Sequence, residues 1–184
     1  MGFFDELPAV EPEPPAPHRP WDPPQAELPG IVPIQTLTIG RTDRAAVAVT
    51  GLSAFAEGFE VFVTARVRPD GPGSDREPGA GTARRSFRFG LLLSDGSKVI
   101  GEYRRGPAHD AQPSGPVLRA FMSGGALGTH FSRWWAWPLP PAGPLEFVCE
   151  WPAIGVAETR AVIDAQLILD AAARSTRLWP ENGG

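Results

Sequence analysis

THFSRWWAWPLPPAGPLEFVCEW, residues 129–151, holds four of the six tryptophans and the only cysteine of the chain. It reads as two strands joined by a proline-rich loop. In the second strand Leu145, Phe147, Cys149 and Trp151 alternate with Glu146, Val148 and Glu150. Successive side chains of a strand point to opposite faces, so one face is apolar and the other mostly charged. The first strand, 130–137, is apolar on both sides. Phe131, Arg133, Trp135 and Trp137 share one face, and His130, Ser132, Trp134 and Ala136 share the other. A strand of this kind belongs at the centre of a sheet or under cover on both faces. Each buried tryptophan withdraws about 150–250 Å² from water, so the expectation is that these rings form the keystone of a core.

Working outward, the texture on the N-terminal side is strand-like from residue 34. Strands are expected over 34–41, over 45–56 with a bend at Gly51, and over 59–68 after a tight turn at Glu57-Gly58. Phe59, Val61, Val63, Ala65 and Val67 form one face of the third, against Glu60, Phe62, Thr64, Arg66 and Arg68. Residues 69–83 are turn-formers and charges, which reads as a long loop. Residues 86–94 resume the alternation, with Phe87, Phe89, Leu91 and Leu93 inward, and Asp95-Gly96 turns the chain into a strand over 98–104. A second Gly/Pro-rich loop covers 105–116. A short strand, 117–122, and a glycine-rich turn, 123–128, lead back to the tryptophan strand.

Beyond Trp151 the stretch 156–178 has no Gly or Pro and admits two readings. One is a single long helix. The preferred one is a strand near 157–163 followed by a helix over 165–175, with Asp164 as its N-cap. Leu167, Ile168, Ala171 and Ala172 then form the apolar side of that helix, and Arg174 and Arg177 sit favourably near its C-terminus.

Residues 8–33 carry ten of the 22 prolines. Such a segment favours extended polyproline II and, at about 3.1 Å per residue, spans up to roughly 80 Å. Residues 1–33 hold six acids and one base, so the arm carries −5 of the net −4 and the remainder is at +1. The division expected is an acidic, proline-rich arm, 1–33, disordered or extended, and a single β-rich domain, 34–184. The fold class is mainly β: an antiparallel β-sandwich or barrel of about 8–9 strands with a C-terminal helix.

The charge balance excludes a strongly basic nucleic-acid binder and a polybasic membrane patch. No apolar run approaches the ~18 residues of a membrane span. The start, MGFFDELP, lacks the basic and apolar regions of a secretory leader. A lone Cys149 on an apolar strand face reads as an inert core thiol in a reducing compartment, and the expected location is cytoplasmic.

The common catalytic patterns are not found. Ser123 lacks the glycines of a nucleophile elbow, and Gly124-Gly125 lacks the Lys-Ser/Thr ending of a phosphate loop. His18, His109 and His130 are not spaced for a metal, although His109, Asp110 and His130 can meet in space. Glu146 and Glu150 stand about 13 Å apart along their strand, too far for a glycosidase pair. Neither enzyme chemistry nor a metal or cofactor is expected.

Two functions remain. The first is a non-enzymatic interaction module whose arm docks Phe3, Phe4 and Leu7 on another protein or a second copy. In that reading Arg66, Arg68 and Arg88 share an outer face for an acidic partner, flanked by Arg84, Arg85, Arg104 and Arg105. Trp21 pins the arm to the domain. The alternative is a small-ligand-binding sandwich, with Tyr103, Trp134 and Trp137 as the platform and the two long loops as its rim.

Overall fold

The structure, a computed structural model, describes residues 19–68, 86–103, 112–126 and 128–179. The Phe59-to-Val67 alternation forms β5 (Phe59–Val67), and its five inward residues are all buried. It pairs with β4 (Ala45–Ala54) through a hairpin closed by the Phe55 N–H on the Gly58 carbonyl. The bend expected at Gly51 is a register shift between Val49 and Gly51.

On its other side β5 pairs with the tryptophan strand β9 (Thr129–Trp137), which pairs in turn with β8 (Val117–Ala126). The tryptophan strand is therefore central. Trp134 and Trp135 point to opposite faces, yet both are fully buried.

The β8 strand runs four residues beyond the sequence expectation, through the glycines taken for a turn. Here glycine answers to close approach rather than to a turn. A Cβ at Gly125 would lie 2.2 Å from the Thr129 carbonyl oxygen, and one at Gly124 would lie 2.7 Å from the Phe131 ring.

The other arm of the sheet is β6 (Arg88–Leu92), β7 (Lys98–Tyr103), β10 (Pro144–Trp151) and β11 (Val156–Asp164). Every inward residue expected on β6 and β10 is buried. Strand order is β11-β10-β6-β7-β8-β9-β5-β4-β2, where β2 is Gly30–Ile31, and β3 (Leu37–Arg41) pairs with β4 off this path.

The mainly β class holds, and the antiparallel sandwich-or-barrel expectation is met in part. The main sheet has ten strands, curled into a mixed half-barrel rather than split into a sandwich. It is not wholly antiparallel, because β7 and β8 run parallel, Gly101 opposite Leu118 and Tyr103 opposite Ala120. The long connection across 104–116 gives the chain room to return to the same end of the sheet, which a tight hairpin cannot do.

The two ends of the sheet approach each other. The Thr159 hydroxyl of β11 donates to the Ile39 carbonyl of β3, and the Cys149 thiol donates to the same oxygen at 3.3 Å. Gly40 permits this contact, since a Cβ there would come within 2.9 Å of Cys149 Sγ and of Val156.

Helix α1 (Gln166–Ala172) packs on β4, β11 and β2 and buries Ile168, Ala171 and Ala172. The strand-plus-helix reading of 156–178 therefore holds, but the N-cap is Ala165 rather than Asp164, which ends β11 and accepts the Gln166 N–H on its carboxylate at 2.9 Å. A last short strand, β12 (Thr176–Arg177), pairs with β1 (Glu27–Leu28) as a separate ribbon.

Residues just before position 34 make contacts with the sheet. Val32 is in the core, β2 extends the sheet, and the Trp21 carbonyl accepts a 3.0 Å bond from the Trp135 indole. Residues 19–33 form a strap on the domain, tied at Trp21 by its backbone carbonyl. Among the described residues no helix is long and apolar enough to cross a membrane.

Candidate ligand cavity

The inward side chains shrink toward one end of the half-barrel. On β5 the inner face runs from Phe59 and Val61 to Val63 and Ala65. On β9 it runs from Ala136 and Trp134 to Ser132 and His130. On β8, Ala120 stands opposite Trp134. Small residues on three neighbouring strands leave space where larger ones would meet, and a cavity of about 850 Å³ opens there.

The far wall comes from the other arm of the sheet, with Phe87 and Trp151. Tyr103 borders the cavity at the end of β7, and Phe121, Met122 and Phe131 line its β8–β9 side. The rings brace one another. Phe87 meets Trp151 edge-on at 5.4 Å, His130 meets Trp151 edge-on at 5.8 Å, and Tyr103 leans on Trp134 at 5.1 Å.

Polar groups are few. Ser132 is nearly buried, and its Oγ accepts the Trp134 indole N–H at 2.8 Å. Ser123, His130 and the Tyr103 phenol complete the set. Desolvation pushes the Tyr103 pKa above its usual value near 10, so at neutral pH the phenol is an uncharged donor. Among the described lining residues none is Asp, Glu, Lys or Arg.

The three residues expected as a platform take different places. Tyr103 borders the cavity, and Trp134, wholly buried, supports Tyr103 from beneath. Trp137 lies at the other end of β9 and does not line the cavity. Sequence reasoning missed Phe87, Ser132 and Trp151 as lining groups. The only available signal was that His130 and Ser132 share the inner face with Trp134 while being smaller and more polar.

The arginine face is not assembled. Arg66 and Arg88 stand on strands separated by β9, β8 and β7. Arg88 pairs with Glu150 at 2.7 Å, and Arg66 donates to the Thr129 hydroxyl at 2.6 Å. Arg68 follows the end of β5 and is exposed. Glu146 and Glu150 are likewise ion-paired across strands, Glu146 to Arg160 at 3.2 Å.

Phe3, Phe4, Leu7, His18, Arg84, Arg85, Arg104, Arg105, His109 and Asp110 lie outside the described residues. Among the described residues no three His, Cys, Asp or Glu side chains gather as a metal site. The Cys149 pKa is raised by burial, against a smaller opposing effect of the Thr159 hydrogen bond, so the thiol is held un-ionised.

A second, shallower groove lies on the outer face between the strap and β4–β5. Glu60 and Arg133 meet in it at 2.5 Å, and the Ser53 hydroxyl donates to the same Glu60 oxygen. No protein-family model matches this chain, and no curated protein or solved structure shows significant similarity to it.

Proposed function

We propose that the protein is a non-enzymatic binding module that holds a small apolar molecule in the open end of its half-barrel. The observation that carries this reading is the cavity itself. At about 850 Å³ it falls within the ~300–1,000 Å³ of small-molecule sites, and an apolar, aromatic lining with a few placed polar groups is their usual character.

The test is thermal unfolding against a panel of apolar compounds. A ligand at ~100 times its Kd stabilises by about 2.7 kcal/mol, which for a chain of this size raises Tm by roughly 5–10 °C. The shift should vanish in Ala120→Phe, which fills the cavity. A panel without any stabilising compound would falsify the reading.

A second reading, the interaction module, draws on a separate surface. Leu28 and Leu178 share one face of the β1–β12 ribbon and are 55% and 42% exposed. Trp179, beside them in sequence, is 63% exposed. Apolar surface of this kind marks association sites, and the arm residues Phe3, Phe4 and Leu7 belong to the same proposal. Sedimentation velocity over a hundredfold concentration range tests self-association. A species that stays monomeric throughout, and is unchanged in Leu28→Glu, removes the second copy as the partner.

A further inference from the structure

The cavity polar groups are arranged with a direction, and that direction narrows the ligand. Ser132 is 8% exposed and lines the cavity. Its oxygen accepts the indole N–H of Trp134, which lies two residues along the same strand face. A hydroxyl has one proton and two lone pairs. With one lone pair engaged from the tryptophan side, the proton of Ser132 is left to be given to the cavity. Tyr103, kept un-ionised by desolvation, offers a second O–H at the rim.

Aromatic rings make up much of the remaining lining, with Phe87 and Trp151 on one wall, beside the smaller Val63, Ala65 and Ala120. Ring faces favour flat ligands over flexible chains. The described lining contains no carboxylate, ammonium or guanidinium group. Among the described lining residues an ionised ligand would find no Asp, Glu, Lys or Arg to offset its lost hydration, a penalty of several kcal/mol.

The geometry points to an uncharged, planar, ring-containing ligand that carries a carbonyl-type acceptor, which Ser132 reads by donating its hydroxyl proton. This rests on the cavity reading above and goes beyond it in naming the chemical class.

Three probes separate the possibilities: 9-fluorenone, its hydrocarbon counterpart fluorene, and dodecanoate as a flexible anion. Titration calorimetry or ligand-observed NMR on the full chain reads their affinities. The expected order is fluorenone tighter than fluorene by about 2–10-fold, the worth of one hydrogen bond, with dodecanoate weakest. In Ser132→Ala the fluorenone-to-fluorene ratio should fall to about one. Ser132→Ala also removes the partner of the Trp134 indole, so Phe87→Leu, on the cavity wall beside Trp151, serves as a second variant. It should weaken both aromatic probes alike and leave their ratio unchanged.

Dodecanoate binding tighter than either aromatic overturns the ligand class while leaving a binding cavity in place. Equal binding of fluorenone and fluorene to the wild type overturns the role of Ser132. Absence of binding by all three, together with a flat thermal panel, overturns both the class and the cavity reading.

Discussion

Arg133 sits between two aromatic rings, its guanidinium 4.7 Å from the centroid of Phe62 and 5.1 Å from that of Phe121. Its Nη2 donates to Glu60, whose side chain is only 6% exposed, whereas that of Arg133 is 33% exposed. The pair is thus half in water, and its worth lies between a surface bridge and a buried one. Removing the Glu60 charge leaves Arg133 with its rings and some solvent. Glu60→Gln is therefore expected to cost about 1–2 kcal/mol, less than the ~3–5 kcal/mol of a fully buried pair. Arg133→Met alone strands the carboxylate and should cost more. The double variant should recover part of that loss, because neither charge is then left alone. Urea unfolding of the four proteins measures the coupling, and strict additivity would show that the contact contributes nothing. The pair was not legible beforehand. Alternation puts Glu60 on the outward, water-facing side of its strand, while the face Arg133 shares with Trp135 and Trp137 is expected under cover, with nothing in either pattern to pair the two. The strap from Trp21 onward covers the Glu60 side too, which is why Trp135 is buried.

Among the elements, the β6–β7 hairpin was the most legible, since its signals are local. The inward residues alternate, and Asp95-Gly96 is turn chemistry. Gly96 adopts φ +86°, and the Asp95 carboxylate accepts the Ser97 N–H at 2.9 Å. That backbone bond, and then the Ser97 hydroxyl, hold the Asp95 pKa below its ordinary 3.8. A group whose pKa is lower folded than unfolded contributes stability that is present above the unfolded value. The contribution is lost as pH falls through the folded one. Wild type should therefore exceed Asp95→Ala in stability at pH 7, and the gap should narrow as pH drops below about 4. Chemical unfolding at pH 7, 4 and 3 checks this, and a gap that widens in acid refutes it. The β8 strand was less legible for a physical reason. Gly124-Gly125 has turn chemistry, but what decides there is the approach of Phe131 and Thr129, a tertiary fact. Nor does periodicity carry direction, so the parallel β7–β8 pair has no signature in its own residues. The cavity follows the same rule. Tyr103 was found because aromatic residues draw notice, whereas Ser132 matters through a neighbour and a space that sequence does not display.

At the scale of the whole molecule, the first and last described segments meet. Arg174, just after α1, donates to the Ile31 carbonyl at 3.2 Å, and the Leu178 N–H donates to the Ala26 carbonyl at 2.8 Å. The prolines of residues 8–33 predict an extended, semi-rigid spacer. Those of residues 19–33 are equally compatible with a strap that pairs only in two-residue pieces, since an extended backbone with few N–H groups suits an edge. What holds it is long-range contact: Val32 in the core, the Trp21 carbonyl on Trp135, and Gly30 against α1. A Cβ at Gly30 would fall 1.8 Å from the Ala171 carbonyl oxygen, backbone against backbone, where neither side yields easily. Burial of Val32 and satisfaction of the Trp135 indole together are worth on the order of 4 kcal/mol. A variant lacking residues 1–33 should lose about that much, with Tm lower by roughly 10 °C, whereas one lacking residues 1–18 keeps every one of these contacts and should unfold like the full chain. Gly30→Ala should fall between the two, because it lifts the strap at one point while leaving Trp21 its bond. Thermal and urea unfolding of the three variants read the order directly. If the loss of residues 1–33 is as harmless as the loss of 1–18, the strap is a passenger and the domain does begin at residue 34. If Gly30→Ala alone matches the larger deletion, the strap is a single cooperative unit, seated or released as a whole by its contact with α1.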